Sequence, residues 1–234
     1  MPITFVQANQ GYAVEPVAVP FLSPNTVGNM GVCFVFADSI ADTTVTDSQG
    51  NTWCNINAFG DNTVYLAAFV CASMAGGPNT VTVTYGGGAV TLVVHIMEYQ
   101  WTYPAEIMAL QPYIQDDPFV TYSWGILGGY EWGESATPIQ IYYNSQAGQA
   151  QNDVTVTIFL GLLDTASIHG WGDFGFGNPR TQTELDGESY AAGEYSVATD
   201  ATQTMFLPGF SVIYPPGPQT QPTTTWLAFM VVEG

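Results

Sequence analysis

The amino-acid sequence predicts an all-β protein, a two-sheet antiparallel β-sandwich of jelly-roll or lectin-like type. Three observations lead there. Apolar and polar residues alternate with period two in segment after segment, as strands with one buried face do. Clusters of Gly, Asn, Asp and Pro punctuate these segments at short intervals. No stretch repeats apolar residues at the 3.6-residue period of a useful amphipathic helix. A dozen or so short strands without helices bury their apolar faces by packing sheet on sheet.

The elements follow in order. Val32-Cys33-Phe34-Val35-Phe36 is apolar throughout and reads as a strand buried on both faces, entered through Gly28-Asn29 and left at Ala37-Asp38. Thr43 to Thr46 is rich in β-branched residues and stops at Asp47-Ser48-Gln49-Gly50-Asn51. There Gly offers a positive φ, and the Asp and Asn side chains can cap the turn. Thr52 to Phe59 resumes as a strand, so a hairpin is expected across that turn. Val64 to Cys71 is apolar and β-prone. Gly76-Gly77-Pro78-Asn79 turns the chain into Thr80-Val81-Thr82-Val83-Thr84-Tyr85, with Val inward and Thr outward. Gly86-Gly87-Gly88 turns it again, into a core strand over Val90 to Tyr99.

From Gln100 to Tyr130 the rhythm is broken by Pro104, Pro112 and Pro118, with a single short helical turn expected over Ala105 to Leu110. Further strands are expected at Ile139 to Asn144, Val154 to Leu163, Tyr195 to Ala198, Phe210 to Tyr214 and Trp226 to Val232. The glycine-rich, aromatic loop from Ser167 to Asp186 has a length typical of functional loops. Tyr214-Pro215-Pro216-Gly217-Pro218 is a stiff extended connector. Nothing in composition breaks the chain, and sandwiches of this length are commonly single domains, so residues 1–234 are read as one.

Charge narrows function. The chain holds 20 acidic residues against one basic residue, Arg180, and its formal charge is −19. Phosphate neutralisation needs cationic side chains, which argues against nucleic acid and against anionic membrane surfaces as partners. Without lysine there is no Schiff-base nucleophile. Such charge keeps a protein soluble by repulsion and suits an extracellular or virion setting. No run approaches the ~20 apolar residues of a spanning helix. Met1-Pro2-Ile3-Thr4-Phe5 lacks the basic and apolar regions of a secretory signal. Cys33, Cys54 and Cys71 show no metal-ligand spacing and read as small buried hydrophobes, with one disulfide plus a free thiol as the alternative.

Thr46-Asp47-Ser48-Gln49-Gly50-Asn51-Thr52-Trp53 resembles the "VTDSQGNTW" signature of a group of bacterial and phage surface β-sandwich modules, jelly-roll or lectin-like in fold. In that group a "GGxNTVTVTF" segment follows, matched here by Gly76 to Tyr85. Glu98-Tyr99-Gln100 is similar to its "EYSG" strand end, and Asn152-Asp153-Val154-Thr155-Val156 to its "NDLLV" strand start. Trp226-Leu227-Ala228-Phe229-Met230-Val231 is similar to its closing strand. The resemblance runs through most of the chain and implies a fold. It implies no catalytic residues, and the signature itself reads as turn chemistry.

Candidate chemistry is sparse. A catalytic triad needs a histidine, and of the two present, His95 lies in an apolar strand while His169 precedes Gly170-Trp171 in the long loop. Glycosidases place paired acids on one strand face, whereas Glu98 is isolated on its strand and Glu131 and Glu134 flank Trp132 in a turn. Hard oxygen ligands for structural Ca²⁺ are offered by Asp38, Asp42 and Asp47, with Asp116 and Asp117 as a second cluster. Aromatics beside polar groups suit glycan stacking or a subunit contact: Trp171, Asp173, Phe174, Phe176 and Asn178 in one loop, Tyr130, Glu131 and Trp132 in another. The expected protein is non-enzymatic. It is a self-assembling surface component of a virion (decoration or fibre-associated), homo-oligomeric and partnered with itself or other surface proteins. The alternative is an extracellular carbohydrate-binding module or adhesin using those loop aromatics to hold glycans.

Overall fold

The computed structural model describes residues 4–37, 43–60, 65–86, 88–100, 124–131, 140–142, 154–164, 178–185, 188–199, 204–206 and 224–233. Among them there is no helix, and every strand pair is antiparallel. The all-β class read from the sequence holds. Contacts divide the chain into two compact units, Met1–Leu110 and Gln111–Gly234, a division that composition does not mark.

The first unit contains β1 (Thr4–Val14), β2 (Val17–Pro20), β3 (Met30–Ala37), β4 (Thr43–Asp47), β5 (Cys54–Gly60), β6 (Tyr65–Cys71), β7 (Thr80–Tyr85) and β8 (Thr91–Gln100). They form a five-stranded sheet in the order β1-β8-β3-β6-β5 and a three-stranded sheet in the order β2-β7-β4. The alternation in β7 works as read: Val81, Val83 and Tyr85 are buried, and Thr84 is exposed. These valines join Val17, Val19 and Val45 of the small sheet in one buried cluster. The large sheet contributes Cys33, Val35, Phe69, Leu92, Val94 and Ile96 to it. Each such side chain withdrawn from water contributes roughly 1.5–3 kcal/mol before conformational entropy is charged against it.

The large sheet is buried on its other face too. Val32, Phe34, Phe36, Leu66, Val93, Met97 and Tyr99 alternate with the first set and are all buried. This is why β3 carries no polar side chain, as its sequence indicated, and why β8 is buried at every position but its two ends.

One expectation is corrected. Thr43–Thr46 and Thr52–Phe59 do not form a hairpin: β4 pairs with β7 in the small sheet, and β5 pairs with β6 in the large one. Residues 48–53 are therefore a crossover between sheets. The reason lies in Trp53, whose ring packs over Gly31 of β3 while its indole N–H returns to Asp47. That anchor sends the chain across to the large sheet instead of back along β4.

The second unit contains β9 (Trp124–Glu131), β10 (Gln140–Tyr142), β11 (Val154–Asp164), β12 (Asn178–Leu185), β13 (Glu188–Thr199), β14 (Thr204–Phe206) and β15 (Thr224–Glu233). Its five-stranded sheet has the order β12-β13-β11-β15-β9, and β10 pairs with β14. Reading β9, β10, β11, β12, β13, β14 and β15 as the counterparts of β1, β2, β3, β5, β6, β7 and β8 reproduces the pairing of the first unit. The order β5-β6-β3-β8-β1 recurs strand for strand, and β2-β7 recurs as β10-β14. Even the irregularities agree, since β5 and β12 each carry a register shift at their third residue. Among the described residues β4 has no counterpart, and the other seven strands pair alike in the two units without any repeat visible in the sequence.

Strands β10, β11 and β15 fall where alternation placed them, and Tyr195–Ala198 lies inside the longer β13. Strands β1, β2, β9, β12 and β14 were not anticipated. β1 mixes Gln, Asn and Gly with apolar residues because it is an edge strand with only partial cover. The expected helical turn at Ala105–Leu110 and the expected strand at Phe210–Tyr214 lie outside the described residues.

Candidate functional site

Most polar chemistry of the first unit gathers at one end, where β2, β4, β6 and β8 finish and β3, β5 and β7 begin. Residues 21–29, 48–53 and 72–79 make the loops there. Backbone bonds tie them together. Asn25 and Gly77 exchange N–H···O bonds at 2.9 and 3.0 Å, Gly28 N donates to Met74 O at 2.9 Å, and Met74 N donates to Asn29 O at 2.8 Å. Gly28 and Gly50 take φ of 85° and 72°, in the left-handed region that costs a side-chain-bearing residue about 1 kcal/mol or more.

Two carboxylates organise these loops. Asp47, the last residue of β4, accepts from Gln49 N at 3.1 Å and Asn51 N at 3.0 Å on Oδ1. Its Oδ2 accepts from Asn51 Nδ2, Trp53 Nε1 and Asn79 Nδ2 at 2.8, 2.9 and 3.1 Å. Burial by itself raises the carboxyl's pKa, but the bonds from Asn51, Trp53 and Asn79 outweigh it and hold the group below its ordinary value. Asn51 Oδ1 then accepts from Ala75 N at 2.7 Å, and Ser48 Oγ accepts from Thr80 N at 3.0 Å. The Asp-Ser-Gln-Gly-Asn-Thr-Trp signature and the Gly-Gly-Pro-Asn-Thr segment are thus two halves of one hydrogen-bonded clasp.

The second hub is Glu98, fully buried near the end of β8. Its Oε1 accepts from Thr26 N at 2.9 Å and Asn29 Nδ2 at 2.6 Å. Its Oε2 accepts from Gln7 Nε2 at 2.5 Å and Asn25 Nδ2 at 2.7 Å. Gln7 extends the network, since its Oε1 accepts from Ser23 N and Oγ and its Nε2 also donates to Ser23 O. A carboxylate inside an apolar sheet is tolerated only when its lone pairs are met in this way. In the sequence Glu98 is isolated on its strand. Its partners lie on β1 and in the 21–29 loop, and the only signal was an acid inside an apolar run that demanded partners.

Both carboxylates spend their oxygens on holding loops, so the arrangement works as a rigid mount. Leu22 and Val27, 72% and 77% exposed, stand on the 21–29 loop that these bonds hold. Other reactive side chains are subdued. His95 packs edge-on against Phe36, with ring centroids 5.6 Å apart, and burial pulls its pKa down to about 3. Burial also raises the Cys33 thiol far above its ordinary value and Cys71 to about 11, leaving little thiolate at neutral pH. All three cysteines are free, and Cys54 is exposed, contrary to its reading as a buried hydrophobe.

Of the residues singled out for binding, Tyr130 and Glu131 end β9, opposite Thr225 and Thr224 of β15. Asn178 opens β12, opposite Glu194. Strands β9 and β12 are the two edges of the second unit's large sheet, so the structure does not bring Asn178 together with Tyr130 and Glu131. Trp132, Glu134, Trp171, Asp173, Phe174 and Phe176 lie outside the described residues, as do Asp38, Asp42, Asp116 and Asp117 of the calcium candidates. Among the described residues no cluster of three or more His, Cys, Asp or Glu side chains is placed to hold a metal. No protein-family model, curated protein or solved structure matches the chain.

Proposed function

We propose that each unit of the chain is a two-sheet β-sandwich of jelly-roll type, and that the protein works by self-association on the outside of a particle, as a non-enzymatic virion surface component. The observation that carries this reading is β1, an eleven-residue edge strand with no charged residue in a chain of net charge −19. Long edge strands are ordinarily blunted by charge or proline, because they template pairing with another chain. In β1 the one interruption is a register shift between Phe5 and Gln7, and Val6, Tyr12 and Val14 stand 41%, 54% and 57% exposed. Two copies of an acidic protein approach most readily where neither carries charge.

The strand pairing supports the jelly-roll reading. In the first unit β1 pairs with β8, β2 with β7 and β3 with β6, as when one long hairpin is rolled up. The counterparts β9–β15, β10–β14 and β11–β13 repeat the scheme. Double-sheet jelly rolls are a common architecture of capsid and lectin domains, which supports the setting at the level of fold.

The test is light scattering after size exclusion on the whole chain, across concentration and at low and high salt. Wild type is expected to associate, more strongly in high salt where repulsion is screened, and Tyr12→Lys or Val14→Glu to shift it toward monomer. A wild type that stays monomeric at every concentration and salt, or variants that associate as wild type does, would reject the reading.

A further inference from the structure

A trypsin-like protease cleaves after lysine or arginine, by placing that cationic side chain against a carboxylate in its specificity pocket. This chain offers it one bond, Arg180–Thr181. We propose that the fold closes this bond with an ion pair, so that Arg180 is a gated cleavage site whose latch is Glu194.

Arg180 sits on β12, an edge of the second unit's large sheet, at the register shift between Pro179 and Thr181. Pro179 faces Gly193 and Thr181 faces Ala192, leaving Arg180 as the extra residue of a bulge. An edge strand with a bulge is the part of a sheet most open to an approaching protease groove, which binds its substrate as an extended strand. Here the guanidinium is already taken. Its Nε donates to both Glu194 oxygens, at 2.9 and 3.0 Å, and Nη2 donates to Oε1 as well. Glu194 lies on β13, directly beside β12, and its side chain is 8% exposed against 23% for Arg180.

Two barriers then stand between the protease and the bond. Cleavage requires residues around Arg180 to leave the β12–β13 ladder, and Thr181 and Thr183 are buried in it. It also requires the guanidinium to move from Glu194 to the protease's carboxylate, in a chain with no other arginine or lysine to take its place beside that buried acid. Once β12 opens, the chemistry is ordinary hydrolysis. The Arg180 C–N bond breaks, water supplies hydroxide to the Arg180 carbonyl carbon, and its proton goes to the Thr181 nitrogen. Cleavage thus follows the population of the open strand. The latch explains how one cation in an acidic chain can serve structure without exposing a tryptic site.

The experiment is limited trypsin digestion of the folded whole chain, followed by intact mass, with urea-unfolded chain as reference. Wild type is expected to stay intact over a period in which the unfolded chain yields Met1–Arg180 and Thr181–Gly234. Glu194→Gln is isosteric but lacks the charge, and it should be cut at that bond at least tenfold faster than wild type. Arg180→Lys keeps a cleavable cation but loses the two-pronged geometry, and it should also be cut faster. Far-UV circular dichroism and resistance to a chymotrypsin-like protease identify variants that have unfolded as a whole. Should Glu194→Gln unfold, Arg180→Lys alone decides the matter. Native wild type cut as fast as the unfolded chain would overturn the proposal, as would folded variants no more sensitive than wild type.

Discussion

Replacing Glu98 by glutamine changes one oxygen into an NH₂ group and nothing else in shape, inside a pocket where all four partners are donors. At the Oε1 position the new amide would meet the N–H of Thr26, which cannot be turned round, so it must occupy the Oε2 position. There it meets Asn25 and Gln7. Asn25 can reverse its amide freely, because its buried Oδ1 has no hydrogen-bond partner. Gln7 cannot, because reversal forfeits the bonds it exchanges with Ser23 at 2.9 to 3.1 Å. One buried donor is left facing another, at a cost of about 1–3 kcal/mol, and the two bonds kept by Oε1 lose their charge assistance, roughly 1 kcal/mol more. The sum is about 2–4 kcal/mol. Urea denaturation read by circular dichroism measures it, and hydrogen exchange at Thr26 N–H places it at the hub. A Glu98→Gln chain within about 0.5 kcal/mol of wild type (the scatter of ordinary surface substitutions), with Thr26 equally protected, would refute the reasoning.

His95 binds no proton in the folded chain until pH approaches about 3, whereas the unfolded chain protonates it around 6.5. Its folded pKa is lowered, so the unfolded state holds the extra proton in between. Stability should therefore fall by about 1.4 kcal/mol per unit as pH drops from 6.5 toward 3, and His95→Phe should flatten that slope in pH-dependent melting. Asp47→Ala strands five N–H donors at a half-buried loop and should cost about 1–3 kcal/mol in urea denaturation. Because the folded pKa of Asp47 is lowered, its contribution is complete at neutral pH. It is lost as acid carries the pH below the ordinary value of 3.8, so the variant should lose less stability there. Gly31→Ala places a methyl 2.7 Å from Trp53 Cη2 and 3.0 Å from Met74 Sδ. It should cost about 1–3 kcal/mol by overpacking and change the near-UV signal of the tryptophans.

The sequence by itself determined what short-range physics controls. Period-two alternation placed β7, β-branched and apolar runs bounded by turn residues placed β3, β4, β6 and β8, and the unbroken apolar run of β3 declared a strand covered on both faces. The missing cations set the charge of the surface and left Arg180 as the single basic residue. Tertiary structure decided every matter of partners. Local turn chemistry at Asp47-Ser48-Gln49-Gly50-Asn51 suits a hairpin, yet the long-range anchor of Trp53 on Gly31 makes it a crossover between sheets. The donors around Glu98 come from β1 and from the 21–29 loop, as far as 91 residues away, and no local pattern announces them. The edge strand β1 and the repeated topology of the two units were hidden for a related reason. An edge strand needs no strict alternation, and pairing order is fixed by which strands meet, a contact property that different sequences can satisfy.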